Sequence, residues 1–225
     1  MRQIAYIAVA GAFLGFLAGT FVSLSFPQLQ LTVRAVALED AALVFMKNSL
    51  LATLIAFGGI IFSLLETRFY KSRRAYDALD RTVEPAYRII GALFPGYRTM
   101  GKPYRSVYLA LKAFPLMCVF FIALTISLYF SIFLSLLENA PNILANLLPH
   151  IMLELYVFFG SAALALKFSS HLRIHVLERD MASFNKEARS MLQNKMAWSR
   201  MLWLYFVLAV SAYVEMAFVN SIASL

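Results

Sequence analysis

Charge is scarce in this sequence: Asp, Glu, Lys and Arg together make up only 14% of 225 residues. A soluble domain carries about a quarter charged residues and about half apolar ones. Here the apolar share is 61%. A water-soluble globule of this length could not hide that much apolar surface, whereas lipid can. Cysteine is nearly absent, with Cys118 alone. An internal disulfide is therefore excluded, and Cys118, inside an apolar run, reads as a small buried hydrophobe. Also missing are a phosphate-binding loop, a dinucleotide fingerprint, a Ser-His-Asp context and a two-histidine metalloprotease motif. No internal repeat or low-complexity tract is present. These absences point away from an enzyme and from any cofactor or metal centre.

What is present is a series of long apolar runs. Five predicted spans cover residues 4–26, 48–65, 113–137, 149–168 and 201–223. Each is apolar around its whole circumference, as expected of a helix in lipid. The first run is longer than a signal-peptide core and is read as a retained span. The expected architecture is an all-α, five-span transmembrane bundle forming a single integral membrane domain over residues 1–225.

Basic residues orient it. The segments 67–112 and 167–200, together with Arg2, hold eighteen of the twenty Lys and Arg. Only Arg34 and Lys47 fall on the other side. By the positive-inside rule the N-terminus is cytoplasmic and the C-terminus outside, in a multi-pass protein of the cell membrane. The segment 169–196 lacks proline and glycine and is expected to continue the fourth span as a helix and return toward the fifth. Residues 138–148 read as a short loop, with Pro149 in the first turn of span four. The net charge of +8 concentrates in 67–112, interleaved with Tyr70, Tyr76, Tyr87, Tyr97, Tyr104 and Tyr108. Beside two spans, that composition suits anionic lipid headgroups rather than nucleic acid.

Polar residues within the spans are the candidates for function. His150 and Glu154 are four apart and share a helix face. Glu154 lies roughly 6–8 Å inside span four and Glu215 roughly 12 Å inside span five, at helical rise. A carboxylate at such depth must face protein and find a partner. Lys47 and Asn48 open span two on the same side. The expectation is one polar cluster of Lys47, Asn48, His150, Glu154 and Glu215. It would act as interhelical glue, an ion or proton site, or a docking point for a partner.

Gly11, Gly15 and Gly19 repeat at intervals of four, a spacing that lets helices approach closely. They could serve packing within the monomer or a homodimer, with Gly58-Gly59 and Gly160–Ala163 as plausible opposing faces. His171, His175 and Glu178 have zinc-compatible spacing but read as solvated surface.

The stretch Pro149-His150-x-x-x-Glu154-Leu155 resembles the Pro-His-Gly-x-x-Glu-Leu signature of the stage II sporulation protein M family. Asn48 after Phe45-Met46-Lys47, and Gly58-Gly59, are similar to the asparagine-led second helix of that family. The chain departs from it at Ile151, where the family has glycine, and in the long basic segment 67–112. The resemblance implies a five-span, non-enzymatic membrane scaffold that anchors a protein partner or assembles with itself. His150 and Glu154 would be its most telling residues. The alternative class is a small secondary transporter or channel component using Glu154 and Glu215.

Overall fold

In the computed structural model, residues 2–25, 38–71, 85, 88, 100–101, 104–136 and 140–223 are described. Among them the architecture is all-α. The helices are α1 (Arg2–Ser25), α2 (Leu38–Lys71), α3 (Tyr104–Leu136), α4 (Ala140–Leu177), α5 (Met181–Leu192) and α6 (Lys195–Ala223). All but α5 are long and apolar enough to cross a membrane. Their exposed surface bears this out. Val9 is 68% exposed and Phe21 72% exposed on α1, as are Leu202 and Phe206 on α6 at 65% and 59%. Such side chains find a favourable surrounding only in hydrocarbon.

All five long helices begin earlier than the apolar runs, and three of them markedly so. The second starts at Leu38 rather than Asn48, with Glu39 and Asp40 in its first turn, where carboxylates face the positive end of the helix dipole. The third starts at Tyr104 rather than Ala113. The fourth starts at Ala140, so the loop expected over 138–148 is helical from Ala140 onward and Pro149 lies inside α4 rather than at its first turn. Hydrogen bonding between backbone groups continues past the point where apolarity ends. Pro115 and Pro149 each remove one such bond, a loss tolerated in membrane helices packed among neighbours.

The chain divides into two compact units, one formed by Met1–Ala52, Met117–Ser161 and Met201–Leu225, the other by Thr53–Leu116 and Ala162–Arg200. In the first, the glycines of α1 lie on the backbone of α3. A Cβ added at Gly11 would come within 2.5 Å of the Phe120 carbonyl oxygen, and one at Gly19 within 2.6 Å of that of Leu128. At Gly15 it would collide with the Leu124 carbonyl. Thr20 and Ser131 then share a hydroxyl hydrogen bond of 2.9 Å. The ridge thus serves packing within the chain. Its opposing face is α3, not the glycines of α2 or α4: Gly58 and Gly59 meet Phe114 and Ala110 of α3, and Gly160 meets Leu204 of α6.

In the second unit, the Phe57 ring lies 5.9 Å from that of Phe168 and 4.9 Å from that of Trp198. Phe184 and Ala188 bury one face of α5. The continuation of α4 and its return toward α6, expected over 169–196, are both present. The turn after α4 is a Schellman motif. Asp180 N–H donates to the His175 carbonyl at 2.9 Å and Arg179 N–H to that of Val176 at 3.3 Å. Arg179 takes the left-handed position, at φ 60°. Asp180 then caps α5, accepting from the amides of Ala182 and Ser183, both at 3.0 Å. The Ser183 hydroxyl, followed by its amide, holds the Asp180 carboxyl below the usual carboxylate range. Asn194 caps α6 likewise, accepting from Met196 and Ala197.

Candidate functional site

The polar residues of the first unit meet on three helices. Asn48 of α2 donates its side-chain amide to Glu154 Oε1 of α4. One turn before Glu154, His150 turns its ring toward α6. Its Nδ1 lies 2.7 Å from Ser211 Oγ and 3.2 Å from the Ser211 carbonyl oxygen. The Ser211 hydroxyl also reaches the His150 carbonyl, at 3.2 Å. Nε2 faces two carboxylates, 3.8 Å from Glu154 Oε2 and 3.6 Å from Glu215 Oε2.

Helical spacing explains the convergence. His150 and Glu154 are one turn apart on α4, as Ser211 and Glu215 are on α6, so each helix presents a paired face. Both His150 and Ser211 are buried, while the Glu215 side chain keeps 32% of its surface. Nδ1 donates to the Ser211 carbonyl or accepts from the Ser211 hydroxyl according to the tautomer of the ring. This arrangement ties three helices together through side-chain hydrogen bonds and sets one imidazole nitrogen between two carboxylates.

Four of the five residues expected to converge do so: Asn48, His150, Glu154 and Glu215. Lys47 stands exposed beside Asn48 and is not among the residues gathered around His150. Its neighbour on the helix is turned inward by about 100°, which turns Lys47 away. Ser211 was missed, because a serine in an apolar run is unremarkable by composition. The signal available was its place four residues before Glu215.

The other sequence candidates lie elsewhere. His175 pairs through Nε2 with Glu187 of α5, whereas His171 and Glu178 are exposed. Among the described residues, no group of three His, Cys, Asp or Glu side chains is arranged so that it could hold a metal ion. Of the basic segment 67–112, residues 72–84, 86–87, 89–99 and 102–103 lie outside the described residues. Within the described part, Tyr108 is only 4% exposed. It belongs to the core of the second unit, with the Lys112 ammonium 5.7 Å from its ring centre. No protein-family model, no curated protein and no solved structure matches this chain.

Proposed function

We propose that this protein is a non-enzymatic, multi-pass scaffold of the cell membrane, of the stage II sporulation protein M type, that anchors or organises a partner protein. One observation carries the reading. Asn48, His150 and Glu154, the polar residues on which the resemblance rests, come from two distant stretches of sequence and meet in one hydrogen-bonded cluster. Buried polar groups that satisfy one another fix helices in a single arrangement, which is what a docking platform requires. The eighteen-to-two distribution of basic residues supports a cytoplasmic N-terminus.

The test is crosslinking in the native membrane, followed by gentle solubilisation and mass spectrometry, with wild type and Glu154→Ala at matched expression. A defined complex that the substitution dissolves, while the protein stays folded, is the expected result. A protein that runs alone in both cases overturns the scaffold reading.

A second reading, a small proton-coupled transporter, draws on the position of His150 Nε2 between Glu154 and Glu215. Uptake into proteoliposomes that depends on a proton gradient and disappears in Glu154→Gln would rank it first.

A further inference from the structure

In the second unit, a cavity of about 720 Å³ opens between α2 and α5. Arg68, Lys186 and Arg189 line it together with Leu64, Leu65 and Leu192, which lie one turn away from the arginines on the same two helices. All three cations are exposed. Among the described residues no acidic side chain lines the cavity. The nearest acidic neighbour in α5, Glu187, is engaged with His175.

The walls are held in register by a half-buried contact. Thr67 donates its hydroxyl to Asn185 Oδ1 at 3.0 Å, and Asn185 returns its amide to the Met181 carbonyl at 2.7 Å. This fastens α5 to the end of α2. It brings Lys186 and Arg189, three apart on one face of α5, to the same opening as Arg68. Arg68 is also the last residue of the apolar stretch of α2, Leu38–Arg68. The opening therefore lies where hydrocarbon gives way to headgroups.

We infer that this cavity is a specific binding site for an anionic phospholipid, with its phosphate held by Arg68, Lys186 and Arg189 and its upper acyl chain against Leu64, Leu65 and Leu192. Guanidinium groups bind phosphate through two parallel hydrogen bonds, and a lysine adds a point charge. The apolar wall selects a phosphate that carries chains over a free one. The inference rests on the five apolar helices lying in a bilayer, and it is independent of the scaffold reading.

The experiment measures binding of a fluorescent phosphatidylglycerol to the delipidated full-length protein in nonionic detergent. Phosphatidylcholine and inorganic phosphate serve as competitors. Wild type is expected to bind phosphatidylglycerol, with phosphatidylcholine and phosphate displacing it poorly. A cation near an anionic lipid is worth a factor of about five, so Arg68→Gln, Lys186→Gln and Arg189→Gln combined should weaken binding on the order of a hundred-fold. A control triple, Arg173→Gln, Lys195→Gln and Arg200→Gln, removes the same charge from the same unit and should bind as wild type. Equal loss in both triples reduces the effect to net charge and overturns the site. Phosphatidylcholine competing as well as the anionic lipid overturns headgroup selectivity. Full displacement by equimolar phosphate shows a free-phosphate site, not a lipid one. If the first triple elutes as misfolded on size exclusion, Lys186→Gln alone decides: a loss of about five-fold supports the site and unchanged binding overturns it.

Discussion

Asn48 and Glu154 stand 106 positions apart in the chain, yet the amide of one donates to the carboxyl of the other. The bond ties α2 to α4 beside a histidine that in turn ties α4 to α6. Interhelical hydrogen bonds in membrane proteins are individually modest, about 0.6 kcal/mol on average and about 1.7 at most. Asn48→Ala is therefore expected to destabilise the folded protein within that range. Glu154→Ala should cost more, about 1–3 kcal/mol, because it leaves the Asn48 amide without its partner and removes one of the two carboxylates that face His150 Nε2. Unfolding in mixed micelles, monitored by far-UV circular dichroism, measures both. Equal effects would show that Glu154 matters only through Asn48.

Gly15→Ala should separate α1 from α3, since the added carbon would collide with the Leu124 carbonyl and not with a side chain that can turn aside. Gly101→Ala is the matched control, because nothing lies within 4 Å of the carbon it adds. Cysteine pairs placed across α1 and α3 in a Cys118→Ser background should crosslink in the control and lose efficiency in Gly15→Ala. Retained crosslinking in both would mean that the two helices are held by something other than the close approach.

Arg179→Gly is expected to stabilise the second unit. A left-handed conformation costs an ordinary residue about 1 kcal/mol relative to glycine, and Arg179 sits at φ 60°. Its carbonyl accepts a 2.9 Å hydrogen bond from the Tyr104 hydroxyl, which glycine keeps. A rise in the unfolding midpoint, with Tyr104→Phe lowering it in both backgrounds, is the expected pattern. A lower midpoint for Arg179→Gly would reveal a role for the guanidinium.

Acid should loosen the start of α5. The Asp180 carboxyl is held below its ordinary value by Ser183, so its cap contributes fully above the unfolded-state pKa of about 3.9 and is lost as pH falls through the lower folded value. The protection of the Ala182 and Ser183 amides, relative to the intrinsic exchange rate at each pH, should fall below about pH 4. Asp180→Asn, which still accepts hydrogen bonds but does not titrate, should abolish that pH dependence. A loss of protection that persists in the asparagine variant would assign the effect to another group.

Ser161 is buried, and its hydroxyl has no hydrogen-bond partner among the described residues. Ser161→Ala removes an unsatisfied polar group and should raise stability, by about 1 kcal/mol. A loss instead would point to a bound water that the hydroxyl holds.

The five apolar helices were legible because lipid imposes a requirement that sequence must meet everywhere along a span. The meeting of His150, Glu154 and Glu215 was legible for a related reason: a carboxylate deep in a span must find a protein partner, and few were on offer. Helix ends were less legible. Glu39 and Asp40 look like an aqueous loop by hydropathy, but they open α2, because a helix needs only hydrogen-bonded backbone and a favourable first turn. Pro149 looked like a helix start for the converse reason, since its ring is most at home there. Topology sets Lys47 at the same end of the bundle as Asn48, but not on the same helix face. Adjacent residues on a helix point about 100° apart, so proximity in sequence is a poor guide to sharing a face.

The contact between α1 and α3 is unequal in kind. On α1 it is made by three missing side chains, and on α3 largely by main-chain carbonyls that every amino acid carries. Over evolutionary time the two partners are therefore under different constraint. Gly11, Gly15 and Gly19 can scarcely change without forcing the helices apart, whereas Phe120, Leu124 and Leu128 are free to drift among residues of lipid-compatible character. Related chains should keep the spacing of the first helix long after the third has lost any recognisable sequence.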